Sequence, residues 1–180
     1  MWEATRVVFV DESGAQTTMT PRYRRSPRGE RAYGSVPRNH AKPTTLVASL
    51  SLAGMGAAMT LAGAIDGDAF AAYLAAFLVP TLTPGTIVVM DNLSVHKDQR
   101  VRPLIERAGC TLVYLPAYSP DLTPIEQAFS KLKEYLRRVG ARTRETLEEA
   151  ITAALASITV GDAIGWFTHC GYPPPSRQSD

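Results

Sequence analysis

Cysteine is nearly missing from this chain: Cys110 and Cys170 are the only two in 180 residues. They match neither a disulfide framework nor a paired-cysteine metal knuckle, and both read as buried thiols in a reduced, cytoplasmic setting. Net charge is nearly missing too, since nineteen Lys and Arg stand against seventeen Asp and Glu. No signal peptide is visible, since Glu3 and Arg6 fall in the first ten residues and an apolar, strand-like run follows at once. Charge vanishes altogether between Pro43 and Ile65, a length that raises a transmembrane reading. The pattern excludes it: Leu46, Ala48, Leu50 and Leu52 alternate with Val47, Ser49 and Ser51, and Gly54 and Gly56 interrupt the run. Two strands joined by a Gly-containing turn account for that better than a membrane helix. There is no internal repeat. What is left is one ordinary globular domain, with 45% apolar and 20% charged residues and a chain long enough to bury roughly 70% of its surface.

The β-branched run Val7–Val10 predicts a first strand that closes at Asp11. A Pro- and Gly-interrupted segment, 20–43, follows with room for one irregular strand, and then come the two strands of 44–65. Asp68 looks like the N-cap of an amphipathic helix carrying Phe70, Leu74, Phe77 and Leu78 and ending at Pro80. Thr86–Met90 predicts a strand buried on both faces and closed by Asp91. A helix over 98–108 ends at Gly109, Cys110–Leu115 forms a further strand, and helices are predicted over 124–139, 144–158 and 162–169. The residues after 171 read as a frayed, disordered tail, 172–180. Strands in a meander and then alternating with helices describe an α/β mixed sheet flanked by helices, with ligand sites beyond the carboxyl ends of the strands.

Two acids sit at that position. If the first strand and the 86–90 strand are neighbours, Asp11 and Asp91 emerge side by side, and carboxylates so placed repel unless a cation lies between them. Glu126, on the first turn of the 124–139 helix, can swing towards the same edge. Three carboxylates are hard oxygen ligands that select Mg²⁺ or Mn²⁺ over zinc. A two-ion site of this kind serves in-line attack on a phosphodiester. Taken singly, each acid has an ordinary use: a strand-end Asp is a turn residue, and Thr123-Pro124-Ile125-Glu126 fits a capping box with Thr123 as N-cap and Glu126 at N3. The weight lies in the joint pattern, together with a segregated basic segment. Arg22, Arg24, Arg25, Arg28, Arg31, Arg38 and Lys42 are opposed only by Glu30, with Tyr23 and Tyr33 interleaved, a mixture suited to phosphate contact and base stacking.

Asp11-Glu12-Ser13-Gly14 after a hydrophobic strand, Val89-Met90-Asp91-Asn92 with His96 following, and Tyr118-Ser119-Pro120-Asp121-Leu122-Thr123-Pro124-Ile125-Glu126 together resemble the three catalytic blocks of a mariner-type insertion-sequence transposase of the DDE superfamily. Thirty-four residues separate Asp91 from Glu126, the interval that superfamily uses. The resemblance runs from about Arg6 to Tyr172. It implies an RNase H-like catalytic domain over 1–171, a triad of Asp11, Asp91 and Glu126 holding two Mg²⁺ ions (Mn²⁺ substituting), and cut-and-paste DNA transposition. The implied partners are double-stranded DNA, as transposon ends and target, and either a second copy or an upstream helix-turn-helix subunit; the implied setting is the bacterial nucleoid. Two departures stand out. Thr123 replaces the Asn common before Pro-Ile-Glu, and the helix-turn-helix modules that normally come first are not ahead of the catalytic strand. The expectation is therefore a catalytic half, separately encoded, frameshift-joined or truncated, that binds DNA with little sequence preference.

His96 can touch a scissile phosphate, orient a neighbouring group, or be a surface loop histidine. Asn92 is either a polar neighbour of the metals or a turn residue. Two other functions fit parts of the pattern: a phosphohydrolase of small esters, which needs no basic segment, and a transposase remnant that only binds DNA or pairs with a partner.

Overall fold

The computed structural model describes residues 2–23, 25–35, 37–38, 42–116 and 119–175. The first apolar run forms β1 (Val7–Ala15), and the uncharged stretch forms β2 (Thr44–Ser51) and β3 (Gly54–Ala62). Gly54 opens β3 at φ 107°, a left-handed conformation open to glycine. β2 carries no charge because it has no face in water: seven of its eight residues are buried. β4 (Ile87–Met90) and β5 (Thr111–Tyr114) complete a five-stranded sheet in the order β3-β2-β1-β4-β5. The first three strands are an antiparallel meander, and β4 and β5 run parallel to β1.

Each parallel step requires a crossover. The first is α1 (Gly67–Tyr73), prolonged to Thr81 by a π turn and a 3-10 turn; the second is α2 (Val101–Arg107). Both cover one face of the sheet, where Phe70, Leu74 and Ile105 pack on Val10, Val47 and Val88. The opposite face is covered by α3 (Pro124–Val139), α4 (Arg144–Ala156) and α5 (Val160–His169), whose Phe129, Leu132, Ile151 and Phe167 pack on Phe9, Leu46 and Val89. Phe167 meets Phe9 edge-on at 5.4 Å. Among the described residues no single helix is long and apolar enough to cross a membrane. Both cysteines are buried free thiols.

The structure departs from the sequence reading at several boundaries. β1 does not close at Asp11 but continues to Ala15, because β2 pairs with it as far as Ala15↔Thr44. The N-cap of α1 is Asp66, whose carboxylate accepts from Ala69 N at 2.8 Å; Asp68 lies in the first turn and pairs with Arg100. α2 starts at Val101 rather than 98, since the Asp98 carboxylate binds the backbone and guanidinium of Arg100 and holds a turn there. α5 begins two residues earlier than 162, where the Thr159 side chain caps it. No strand forms among the described residues of 20–43, and its start is pinned by Arg142, which donates to the carbonyls of Thr17 and Met19. Tyr172 packs against Phe9 and Phe167. Arg24, Tyr118 and the tail residues 176–180 lie outside the described residues.

Candidate active site

The β1–β4 ladder is paired as far as Phe9↔Val89. Asp11 lies two residues beyond Phe9 on β1 and Asp91 directly follows β4, near enough for the charge of Asp91 to act on the Asp11 carboxyl. β4 has ended at Met90 while β1 runs on with β2 alone, so a notch opens beside Asp11. Asp11 thus marks the end of the ladder rather than the end of its strand.

Glu126 stands on the first turn of α3, and the capping box that would occupy it does not form. The Thr123 hydroxyl donates to Ser119 O at 3.2 Å, and Thr123 makes no side-chain cap bond; the Glu126 carboxylate is left exposed. Glu126 and Asp11 line one cleft of about 360 Å³ together with Glu12, Ser13, Arg22, Phe129, Ser130, Lys133 and Arg137.

His96 is not a surface residue. It is 0% exposed, with its ring 4.6 Å from that of Phe70. Its Nδ1 lies 2.6 Å from Asp91 Oδ1 and its Nε2 2.9 Å from Glu12 Oε2. Two such bonds to carboxylates require both ring nitrogens to donate, hence an imidazolium. Although burial opposes the charge, the bonds to Asp91 and Glu12 outweigh it and hold His96 up to about 9. Asp91 Oδ1 also accepts from Leu93 N at 3.0 Å; burial, the largest single influence, works against its charge, but the bonds from His96 and Leu93 with the charges of His96 and Lys97 together keep Asp91 below the ordinary carboxylate range. Asn92 donates its side-chain amide to Leu115 O, tying the exit of β4 to that of β5. Glu12 was legible only as part of a motif; its role as the second anchor of His96 carries no periodicity that a sequence displays.

The acids strain against one another. Burial pushes the Asp11 carboxyl up to about 7, and the charges of Glu12 and Asp91 add to it against the Glu12 backbone N–H at 2.8 Å. Burial and then Asp91 also raise Glu126, with Lys133 opposing. Carboxylates that resist ionising beside one another are stabilised by a divalent cation, and oxygen donors suit Mg²⁺ or Mn²⁺. Asp11, Glu12 and His96 also bring one donor atom each within 4.8 Å of the others, although both ring nitrogens of His96 are engaged by Asp91 and Glu12. Of the basic segment, Arg22 reaches the cleft; Arg25, Arg28, Arg31, Arg38 and Lys42 are exposed.

Residues 6–148 match the family model described as DDE superfamily endonuclease. No curated protein matches the chain. Among solved structures, a pre-cleavage Mos1 transpososome is similar at TM-score 0.70 and 17% identity, over 93% of this chain and 52% of that one. The Mos1 mariner paired-end complex with Mg gives 0.71 and 19%, over 93% and 52%, and the catalytic domain of Mos1 mariner transposase gives 0.65 and 16%, over 93% and 76%. This chain therefore spans about half the length of the Mos1 chains in those complexes. The likeness establishes the fold, an RNase H-like mixed sheet with helices on both faces. With the family match extending over all five strands and α3, the elements that carry Asp11, Asp91 and Glu126, the chain belongs to the DDE superfamily endonucleases.

Proposed function

We propose that the chain is a transposase catalytic domain that cleaves DNA and transfers the cut strand in cut-and-paste movement of an insertion sequence, with Asp11, Asp91 and Glu126 as its catalytic acids. What supports this reading is that Asp11 and Glu126 line one cleft, and that the charge of Asp91, just past β4, acts on both. Their oxygen donors and mutual repulsion fit two Mg²⁺ ions, or Mn²⁺ in their place; paired-end complexes of Mos1 with Mg and with Mn are consistent with that choice. When bound, such ions activate the attacking water or hydroxyl and stabilise the leaving oxygen. His96 fixes Asp91 by holding Oδ1, and Oδ2 has no hydrogen-bond partner among the described residues. The basic loop offers phosphate contacts that position DNA without reading its sequence. The partners proposed are double-stranded DNA, as transposon ends and target, and a second copy or a helix-turn-helix subunit, in a bacterial nucleoid setting. A small-ester phosphohydrolase would leave the basic loop without a use. The test is nicking of supercoiled plasmid with Mg²⁺: nicked circles that EDTA and Asp91→Asn abolish are expected, and equal nicking by Asp91→Asn would overturn the assignment.

A further inference from the structure

Among the described residues, the hydroxyl of Ser13 is the one buried side-chain polar atom without a hydrogen-bond partner. Ser13 is 6% exposed and lies within β1. Strand alternation puts its side chain on the same face as that of Asp11, about 7 Å further along. Leu46, which pairs with Ser13 across the β1–β2 ladder, is apolar and offers the hydroxyl nothing. On the other side of β1 the neighbouring strand β4 has already ended, and Ser13 lines the cleft of Asp11 and Glu126.

Packing alone does not call for a serine at this position. Alanine would fill the same space without burying a hydroxyl that has lost its water and gained no partner. A hydroxyl both accepts and donates, so the missing partner is a polar group that enters the cleft. The carboxylates of Asp11, Glu12 and Glu126 line the same walls, and an anion placed among them would meet like charge. A water meets acceptors instead. The cleft, of about 360 Å³, has room for one, and Asp11, Glu126 and Ser13 supply the polar partners that an ordered water needs. A single water bridges the step of about 7 Å from Asp11 to Ser13 with a bond of about 2.8 Å to either side.

We propose that Ser13 holds the water that attacks the phosphodiester, and so favours water over an alcohol as the nucleophile. The proposal rests on the reading of the acids as a DNA-cleaving site. Hydrolysis that leaves a 3′-hydroxyl forms a bond from the water oxygen to phosphorus. It breaks the bond from phosphorus to the 3′ oxygen, which leaves with the electron pair and takes up a proton. The water gives up one proton to a carboxylate of the site and keeps the other, which becomes part of the 5′-phosphate. That retained proton is the one Ser13 Oγ accepts. An alcohol has only the proton it loses, so it makes no such bond and brings an alkyl group to the floor of the cleft. Cutting by water therefore uses Ser13, and attack by the hydroxyl end of a cut strand does not.

The test is nicking of supercoiled plasmid with Mg²⁺ in the presence of methanol, the 5′ ends of the product being analysed by mass spectrometry for free against methylated phosphate. Without methanol, Ser13→Ala should cut about tenfold more slowly than wild type, as one lost hydrogen bond predicts. With methanol, its ratio of methylated to free phosphate should rise about tenfold, since only the reaction with water loses a bond. The ratio is set within one reaction, so neither the active fraction nor a weakened fold moves it. The Tm of Ser13→Ala should be no lower than that of wild type, because no native bond is lost. Its affinities for Mn²⁺, by calorimetry, and for a labelled duplex, by fluorescence anisotropy, should stay within about twofold of wild type, a serine held to a water touching neither. An unchanged product ratio, beside a wild type that nicks plasmid with Mg²⁺, would overturn the role of Ser13 and leave the proposed function standing. A loss of Mn²⁺ or duplex affinity large enough to account for the slower cutting would overturn it as well. A wild type that does not cut plasmid would overturn both readings.

Discussion

His96 is a buried cation clamped between Asp91 and Glu12, and its value to the fold depends on pH. Its folded pKa, about 9, lies above the ordinary 6.5, so its contribution is complete below about 6.5 and is lost as pH rises through about 9. His96→Ala should therefore lower stability by about 2 kcal/mol near pH 6, with the deficit shrinking above about pH 9 in thermal melts. An equal deficit at both would mean a neutral imidazole. Asp11 is also raised, to about 7, so whatever it contributes is present below about 4 and lost as pH climbs through about 7. Asp11→Asn should accordingly raise Tm by about 3 °C near pH 8, equivalent to about 1 kcal/mol, and leave it unchanged near pH 4. For the same reason Mn²⁺ affinity of the wild type, followed by calorimetry, should climb steeply up to about pH 7 and level off above it, because the ion must displace the Asp11 proton. A flat profile from pH 5 to about 8 would show that Asp11 takes no part in binding.

At the scale of elements, α3 is where sequence and structure agree best and then diverge. Pro124 and Gly140, the latter at φ 63°, bound the helix over the range the pattern predicts. Its cap did not follow, because the Thr123 hydroxyl turned back to Ser119 O. The consequence is that Glu126→Gln should leave Tm within about 1 °C of wild type, since no native bond is lost. α5 gives the contrasting case: Asp162 accepts from Thr159 N and Oγ1 and from Lys131, so Asp162→Ala should cost about 1–2 kcal/mol. The five strands were legible from apolar runs and alternation, but the extension of β1 through Glu12-Ser13-Gly14 was not. Pairing with β2, a tertiary effect, holds those residues extended against their own weak strand propensity. The burial of His96 was not legible for a similar reason: Ser94, Lys97 and Asp98 around it read as surface, while its partners Phe70 and Glu12 are distant in sequence.

On the scale of the whole molecule, one sheet separates an apolar framework from a charged edge. Asp11 and Glu126 share one cleft with Lys133 and Arg137 of α3 and with Arg22 of the basic loop. Phosphate contacts of that kind carry no base information. In competition binding at physiological salt, terminal-repeat and random duplexes should therefore differ by less than about tenfold, or about 1.4 kcal/mol. The most direct measurement is the single-turnover rate of Mg²⁺-dependent plasmid nicking by wild type, Asp11→Asn, Asp91→Asn and Glu126→Gln, with a thermal melt of each. Each isosteric change should slow cleavage by about a thousandfold or more without lowering Tm. A Glu126→Gln protein that melts early but cuts at the wild-type rate would contradict a metal-holding role for the three acids.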